Sequence, residues 1–110
     1  MKKKPDSLQG SLDLLVLKVL ASQPGLHGYA IMTRIRVLSE DVLRVEEGSL
    51  YPALHRMEEA GWLRAQWIDK PNGRRTRSYH LTSAGERQLA DKAARWQEVT
   101  DAVAQILRTV

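Results

Sequence analysis

Residues 48–81 read GSLYPALHRMEEAGWLRAQWIDKPNGRRTRSYHL, and within them the pattern turns once from helical to extended. Leu50, Ala53, Leu54 and Met57 recur at the three- and four-residue spacing of one helical face, which predicts a helix from about Gly48 to Ala60. Pro52 falls in or near its first turn, where a missing N–H costs little, and Gly61 supplies the stop. Trp62 to Ile68 and Thr76 to Leu81 are strand-like. Between them lies Asp69-Lys70-Pro71-Asn72-Gly73, with an Asn-Gly turn signal.

Upstream, residues 1–10 lack periodicity and read as a basic, flexible arm. Ser11 can cap a helix to about Ser22, in which Leu12, Leu15, Val16 and Val19 share one face. Leu14 and Leu17 fall on the opposite face, so both sides of this helix need cover. Gln23-Pro24-Gly25 ends it. A second helix from about His27 to Leu38 is expected to bury Ile31, Ile35 and Leu38, with Arg34 and Arg36 exposed. Asp41 to Val45 is short, and the pattern allows it to be extended. Downstream, Thr82 or Ser83 caps a last helix of about 25 residues, and Ser83 with Glu86 fits a capping box. Three helices and then a hairpin is the order of a winged helix-turn-helix. The expected fold is therefore mainly α with a β-hairpin wing (α+β), followed by a long C-terminal helix. The division is an arm at 1–10, a winged-helix domain at 11–81 and the long helix at 82–110.

The chain has 110 residues, 43% of them hydrophobic and 27% charged, which suits one globular domain and excludes low complexity. It has no cysteine, which excludes a disulfide framework, a thiolate metal site and a cysteine nucleophile. His27, His55 and His80 are scattered without ligand spacing, so neither metal nor cofactor is expected. Glu46-Glu47 and Glu58-Glu59 are adjacent pairs whose side chains diverge, which suits no two-carboxylate catalysis. The apolar stretch after Met1-Lys2-Lys3-Lys4 is cut by Asp13 and Lys18, so no export signal or membrane span is expected, and a cytoplasmic protein is.

Net charge is +4, unevenly placed: +4 over residues 1–37, −4 over 38–63, +4 over 64–80 and zero over 81–110. Two separated basic segments are a footprint of nucleic-acid binding. Lys70, Arg74, Arg75 and Arg77 surround the exposed turn, more cations than a merely soluble turn needs, and suit phosphate neutralisation. On the third helix, Ser49, Pro52, His55, Arg56 and Glu59 lie opposite the apolar stripe, with Tyr51 on the flank. Arg56 can donate twice to guanine or clamp a phosphate, and Ser49 and Tyr51 can donate to phosphates. An ordinary solvated face is the competing reading. In the last helix Trp96, Val99, Val103, Ile106 and Val110 are spaced three, four, three, four, a heptad seam. The seam packs either within the monomer or against a two-fold mate. Pairing would also cover Leu14 and Leu17, which favours a homodimer.

Several blocks resemble the PadR family of bacterial transcriptional regulators: His27-Gly28-Tyr29-Ala30-Ile31, Gly48-Ser49-Leu50-Tyr51-Pro52-Ala53-Leu54-His55-Arg56-Met57-Glu58, and Gly61-Trp62-Leu63. Gly73-Arg74-Arg75, Tyr79, Leu81-Thr82 and Gly85 are similar to its wing and the start of its last helix. Where the family often has two adjacent tyrosines after the wing, this chain has Ser78-Tyr79. The likeness covers roughly residues 8–108 and is to the short subfamily, whose single final helix dimerises. It implies a homodimeric repressor on a two-fold symmetric operator in double-stranded DNA, contacted by Tyr29, Ser49, Tyr51, His55, Arg56, Lys70, Arg74, Arg75 and Arg77. It also implies that Trp96 lines a pore between subunits and stacks on a planar aromatic effector; filling the dimer core is the other reading of that indole. A winged helix that binds protein without specific DNA binding remains the alternative function.

Overall fold

Three helices, a two-stranded antiparallel hairpin and a last long helix succeed one another in the computed structural model, which describes residues 7–109 and the side chains of 11–109. They are α1 (Ser7–Ser22), α2 (Gly28–Leu38), α3 (Glu47–Glu59), β1 (Leu63–Asp69), β2 (Arg75–Leu81) and α4 (Ser83–Leu107). Residues 1–6 of the expected arm and Val110 of the expected seam lie outside the described residues. The arm's boundary moves: α1 already runs through 7–10, since Gly10 weakens a helix without breaking it.

The core gathers Val16, Leu17 and Leu20 of α1, Ile31 and Ile35 of α2, and Leu50, Leu54 and Met57 of α3, closed by Leu63 and Tyr79 of the hairpin. Leu17 is 0% exposed, so the expectation that it faces a partner is corrected. The physical reason is that α1 packs on α2, α3, β2 and α4 at once, and one chain covers most of its circumference. Leu14 remains only half-buried. The second helix also departs at its end: Leu38 is 60% exposed, because α2 stops there and the chain turns away through Glu40 and Asp41, both left-handed at φ 53° and 68°. Asp41 to Val45 accordingly forms a turn and an irregular connection, not a strand.

Local chemistry sets the joints that hold the hairpin and α4 in place. After α3, Gly61 takes φ 84°, with its N–H donating to Glu58 and that of Trp62 to Met57, a left-handed helix stop. Pro52 sits deeper than the sequence suggests, six residues into α3, where its missing N–H falls beside the exposed Gly48. Leu63 pairs with Leu81 and Asp69 with Arg75, so odd-numbered side chains of both strands share one face. That face is apolar at the base and becomes aromatic and charged towards the tip. Tyr79 also pairs outward: its N–H donates to the Leu26 carbonyl, and its carbonyl accepts from Gly25, tying the α1–α2 connection to the wing.

The cap of α4 is Thr82, whose hydroxyl oxygen accepts from the Gly85 N–H at 3.0 Å and donates to the Gly61 carbonyl at 2.6 Å. This settles the choice between Thr82 and Ser83 and removes the expected Ser83–Glu86 box, since Ser83 is already helical. At Gly85 a Cβ would collide with the Trp62 carbonyl oxygen, so α4 starts flush against the hairpin. Leu89 packs on the core and Lys92 lies over the Trp62 ring at 5.1 Å. Beyond that α4 projects from the body, giving extents of 60 × 29 × 29 Å. No helix among the described residues is long and apolar enough to cross a membrane.

Candidate nucleic-acid interface

The first turn of α2 begins at His27, whose Nδ1 accepts from the Ala30 N–H at 3.1 Å and so caps the helix. Gly28 is buried beneath Tyr51 of α3, whose ring would stand 2.5 Å from any Cβ placed there. This close approach lays Tyr51 across the start of α2 beside the exposed Tyr29. Burial, and then the charge of Glu47, pushes the Tyr51 phenol above its ordinary value of 10.0, so the hydroxyl remains a donor at neutral pH.

Facing these tyrosines is the charged end of the hairpin. Lys70-Pro71-Asn72-Gly73 forms its turn: the Gly73 N–H donates to the Lys70 carbonyl, Asn72 Oδ1 accepts from the Arg74 N–H at 3.0 Å, and Gly73 sits at φ 84°. Between the two lies an open groove of about 880 Å³. His27, Tyr29 and Tyr51 form one wall, Trp67, Arg75, Arg77 and Tyr79 the other, and Lys70, Asn72 and Arg74 the tip. Six of the nine residues expected to contact DNA therefore meet around one space: Tyr29, Tyr51, Lys70, Arg74, Arg75 and Arg77. Ser49 and His55 are exposed on α3 outside its lining, and His55 Nε2 is 3.3 Å from Glu59.

The cations are not equivalent. Arg56, expected to donate to guanine or to clamp a phosphate, points back into the molecule, with Nη1 and Nη2 each 2.9 Å from an oxygen of Asp13. Asp13 is only 3% exposed, so the pair satisfies a carboxylate inside the apolar arc of α1. A fork engaged on one carboxylate cannot present the same two edges to guanine. Arg77 donates to Glu58 of α3 at 2.8 Å, which pins the wing to α3, and Arg75 donates to Asp69 across the hairpin at 3.1 Å, so two of the nearby acidic charges are offset. Among the described residues, no ion pair engages Lys70 or Arg74.

Sequence reasoning missed Asp13, Glu58 and Trp67. Asp13 was detectable, since it shares a helical face with Val16, Leu17 and Leu20, and a charge there requires a buried partner. Trp67 follows from the register, which sets it opposite Arg77.

Three helices, a hairpin wing and a projecting last helix define a winged-helix protein of the kind found among transcriptional regulators. The family profile described as the transcriptional regulator PadR-like family matches residues 16–91, and the chain belongs to that family. A PadR-like transcriptional regulator from Bacillus cereus is 27% identical and superposes with a TM-score of 0.77, over 96% of this chain and all of that one. A PadR family transcriptional regulator from Eggerthella lenta is 30% identical, with a TM-score of 0.77 over 93% of this chain and 86% of its own. A transcriptional regulator from Clostridium thermocellum shares the fold at a TM-score of 0.84 and 22% identity, covering 94% of this chain and 100% of that one.

Proposed function

We propose that the protein acts as a homodimeric repressor that binds a two-fold symmetric operator in double-stranded DNA. The observation that carries this is the groove, which gathers the exposed Tyr29 and Tyr51 and the wing cations along one path that a sugar–phosphate backbone can follow. Lys70 and Arg74 neutralise phosphates at the wing tip, Arg75 and the tyrosines hold the backbone, and Ser49 and His55 approach the major groove from α3. With Arg56 engaged inside the domain, base-edge contacts are few, and orientation by phosphates dominates affinity.

Dimerisation is supported by α4, where Trp96, Val99, Val103 and Ile106 remain exposed on a heptad seam. Trp96, 49% exposed, suits either packing in that seam or stacking against a planar aromatic effector. Such an effector releases DNA only if it binds the released arrangement more tightly. Repression and release follow the family likeness. Localisation in the cytoplasm goes with this role.

Gel-shift titration against the DNA upstream of its own coding sequence tests the DNA reading. Lys70→Ala and Arg74→Ala are expected to weaken binding to all sequences alike, each lowering the salt slope by about 0.9. Binding indifferent to salt and to both changes would instead favour a winged helix that binds protein.

A further inference from the structure

Trp67 stands on the face of the hairpin where the core gives out. It is 53% exposed, so burial does not explain it. Its ring is flanked by two guanidinium groups, with Arg75 Cζ 5.0 Å and Arg77 Cζ 5.3 Å from the centroid. The register produces this grouping: Trp67 faces Arg77 directly, and Arg75 lies diagonally across, on the same face of the sheet. Each guanidinium is also tied at one nitrogen, Arg75 Nε to Asp69 and Arg77 Nη2 to Glu58. All three side chains line the groove.

We propose that Trp67 is a positioning residue for DNA binding, a platform that holds the guanidinium groups of Arg75 and Arg77 in the orientation in which they meet a phosphate. The chemistry is that of a plane. A guanidinium lying over an indole uses its face, which carries no N–H, and keeps its in-plane donors for other partners. One carboxylate contact per guanidinium leaves both Nη groups of Arg75 and Nη1 of Arg77 as donors for an oxyanion. A free arginine loses rotamer entropy when it grips a phosphate; one already held between a ring and a carboxylate loses less. Arg77 Nε shows the same restraint: it is buried without a hydrogen-bond partner among the described residues, a position a freely rotating side chain would leave. Among the described residues Lys70 and Arg74 have no such ring contact, and they act as charges only.

This inference rests on the DNA-binding reading, and the test separates the two. Operator affinity is measured across a salt series for wild type, Trp67→Leu, Trp67→Tyr, Arg75→Lys and Arg75→Ala, each first checked for its thermal midpoint. Trp67→Leu keeps every charge, so it is expected to weaken binding about tenfold with the salt slope unchanged. Trp67→Tyr restores most of the loss because it restores a ring. Arg75→Lys, which keeps the charge but not the plane, reproduces the leucine effect without touching Trp67, so the proposal stays testable even if Trp67→Leu does not fold. Arg75→Ala lowers the slope by about 0.9, one phosphate contact. In the Trp67→Leu background its loss is smaller than in wild type. Trp67→Leu binding like wild type, a reduced slope in that variant, or failure of Trp67→Tyr to rescue would each overturn the platform while leaving DNA binding intact. Wild-type protein that binds no operator at low salt would overturn the DNA-binding reading and the platform together.

Discussion

Removing the Arg56 side chain would strand Asp13, a carboxylate 3% exposed among Val16, Leu17 and Leu20. Breaking a fully buried pair costs about 3–5 kcal/mol. The Arg56 side chain is 40% exposed, so water can reach the site and a cost of about 2–3 kcal/mol is expected. Arg56→Ala should therefore lower the thermal midpoint by roughly 10 °C or more for a domain of this size. Asp13→Leu with Arg56→Met should cost less than Arg56→Ala alone, because no charge is left behind. An Arg56→Ala variant as stable as wild type, but with relaxed operator preference, would return Arg56 to base reading. The sequence shows a helix-face arginine and cannot show its direction. A long side chain on the flank of α3 reaches DNA or a neighbouring helix equally well, and only the position of α1 decides between them.

The junction of α2 and α3 is set by a glycine and a ring. Gly28→Ala would place a methyl group 2.5 Å from Tyr51, and the ring would have to swing off the start of α2. Tyr51 is half-exposed and free to move outward, so the domain should lose less than about 1 kcal/mol, below the usual cost of overpacking a core. Its hydroxyl would leave the groove. DNA affinity should then fall by about as much as in Tyr51→Phe, two- to tenfold for one hydrogen bond. Equal binding by Gly28→Ala and wild type in the same titration would remove Tyr51 from the interface. Element boundaries were legible wherever a residue type has one strong preference. Gly61 ended α3, and Asn72-Gly73 made the turn, as the sequence indicates. Thr82 and Ser83 are both good caps with one position between them. The tie was broken by Thr82 reaching the Gly61 carbonyl, a partner 21 residues away.

The molecule as a whole is a winged-helix body with one helix projecting from it. From Ala90 onward nearly every described side chain of α4 is exposed, and Trp96, Val99, Val103 and Ile106 keep about half or more of their surface open among the described residues. Val103 is 47% exposed, so a charge there disturbs little within the monomer. Val103→Asp should thus give a folded monomer with the thermal signature of an intact winged helix, and operator affinity should collapse, because one half-site supplies too few contacts. Sedimentation velocity at micromolar concentration is the measurement. Wild type sedimenting as a monomer would defeat the dimer, and an unfolded Val103→Asp chain would show that the seam belongs to the monomer's own stability.

Element order, turn chemistry, the apolar stripe of α3 and the basic wing are all carried by the order of residues along the chain. Each depends on contacts or spacings within a few positions, so periodicity and turn preference suffice to read them. Which cations are free, which leucine of α1 faces inward and what the exposed tryptophan of the wing touches are decided otherwise. Arg56 meets Asp13 across 43 positions, and Arg77 meets Glu58 across 19. Leu17 is buried because four elements converge on α1. Charge and helical periodicity are properties of the chain; the partner of a charge is a property of the packing, which exists only once distant elements have been brought together.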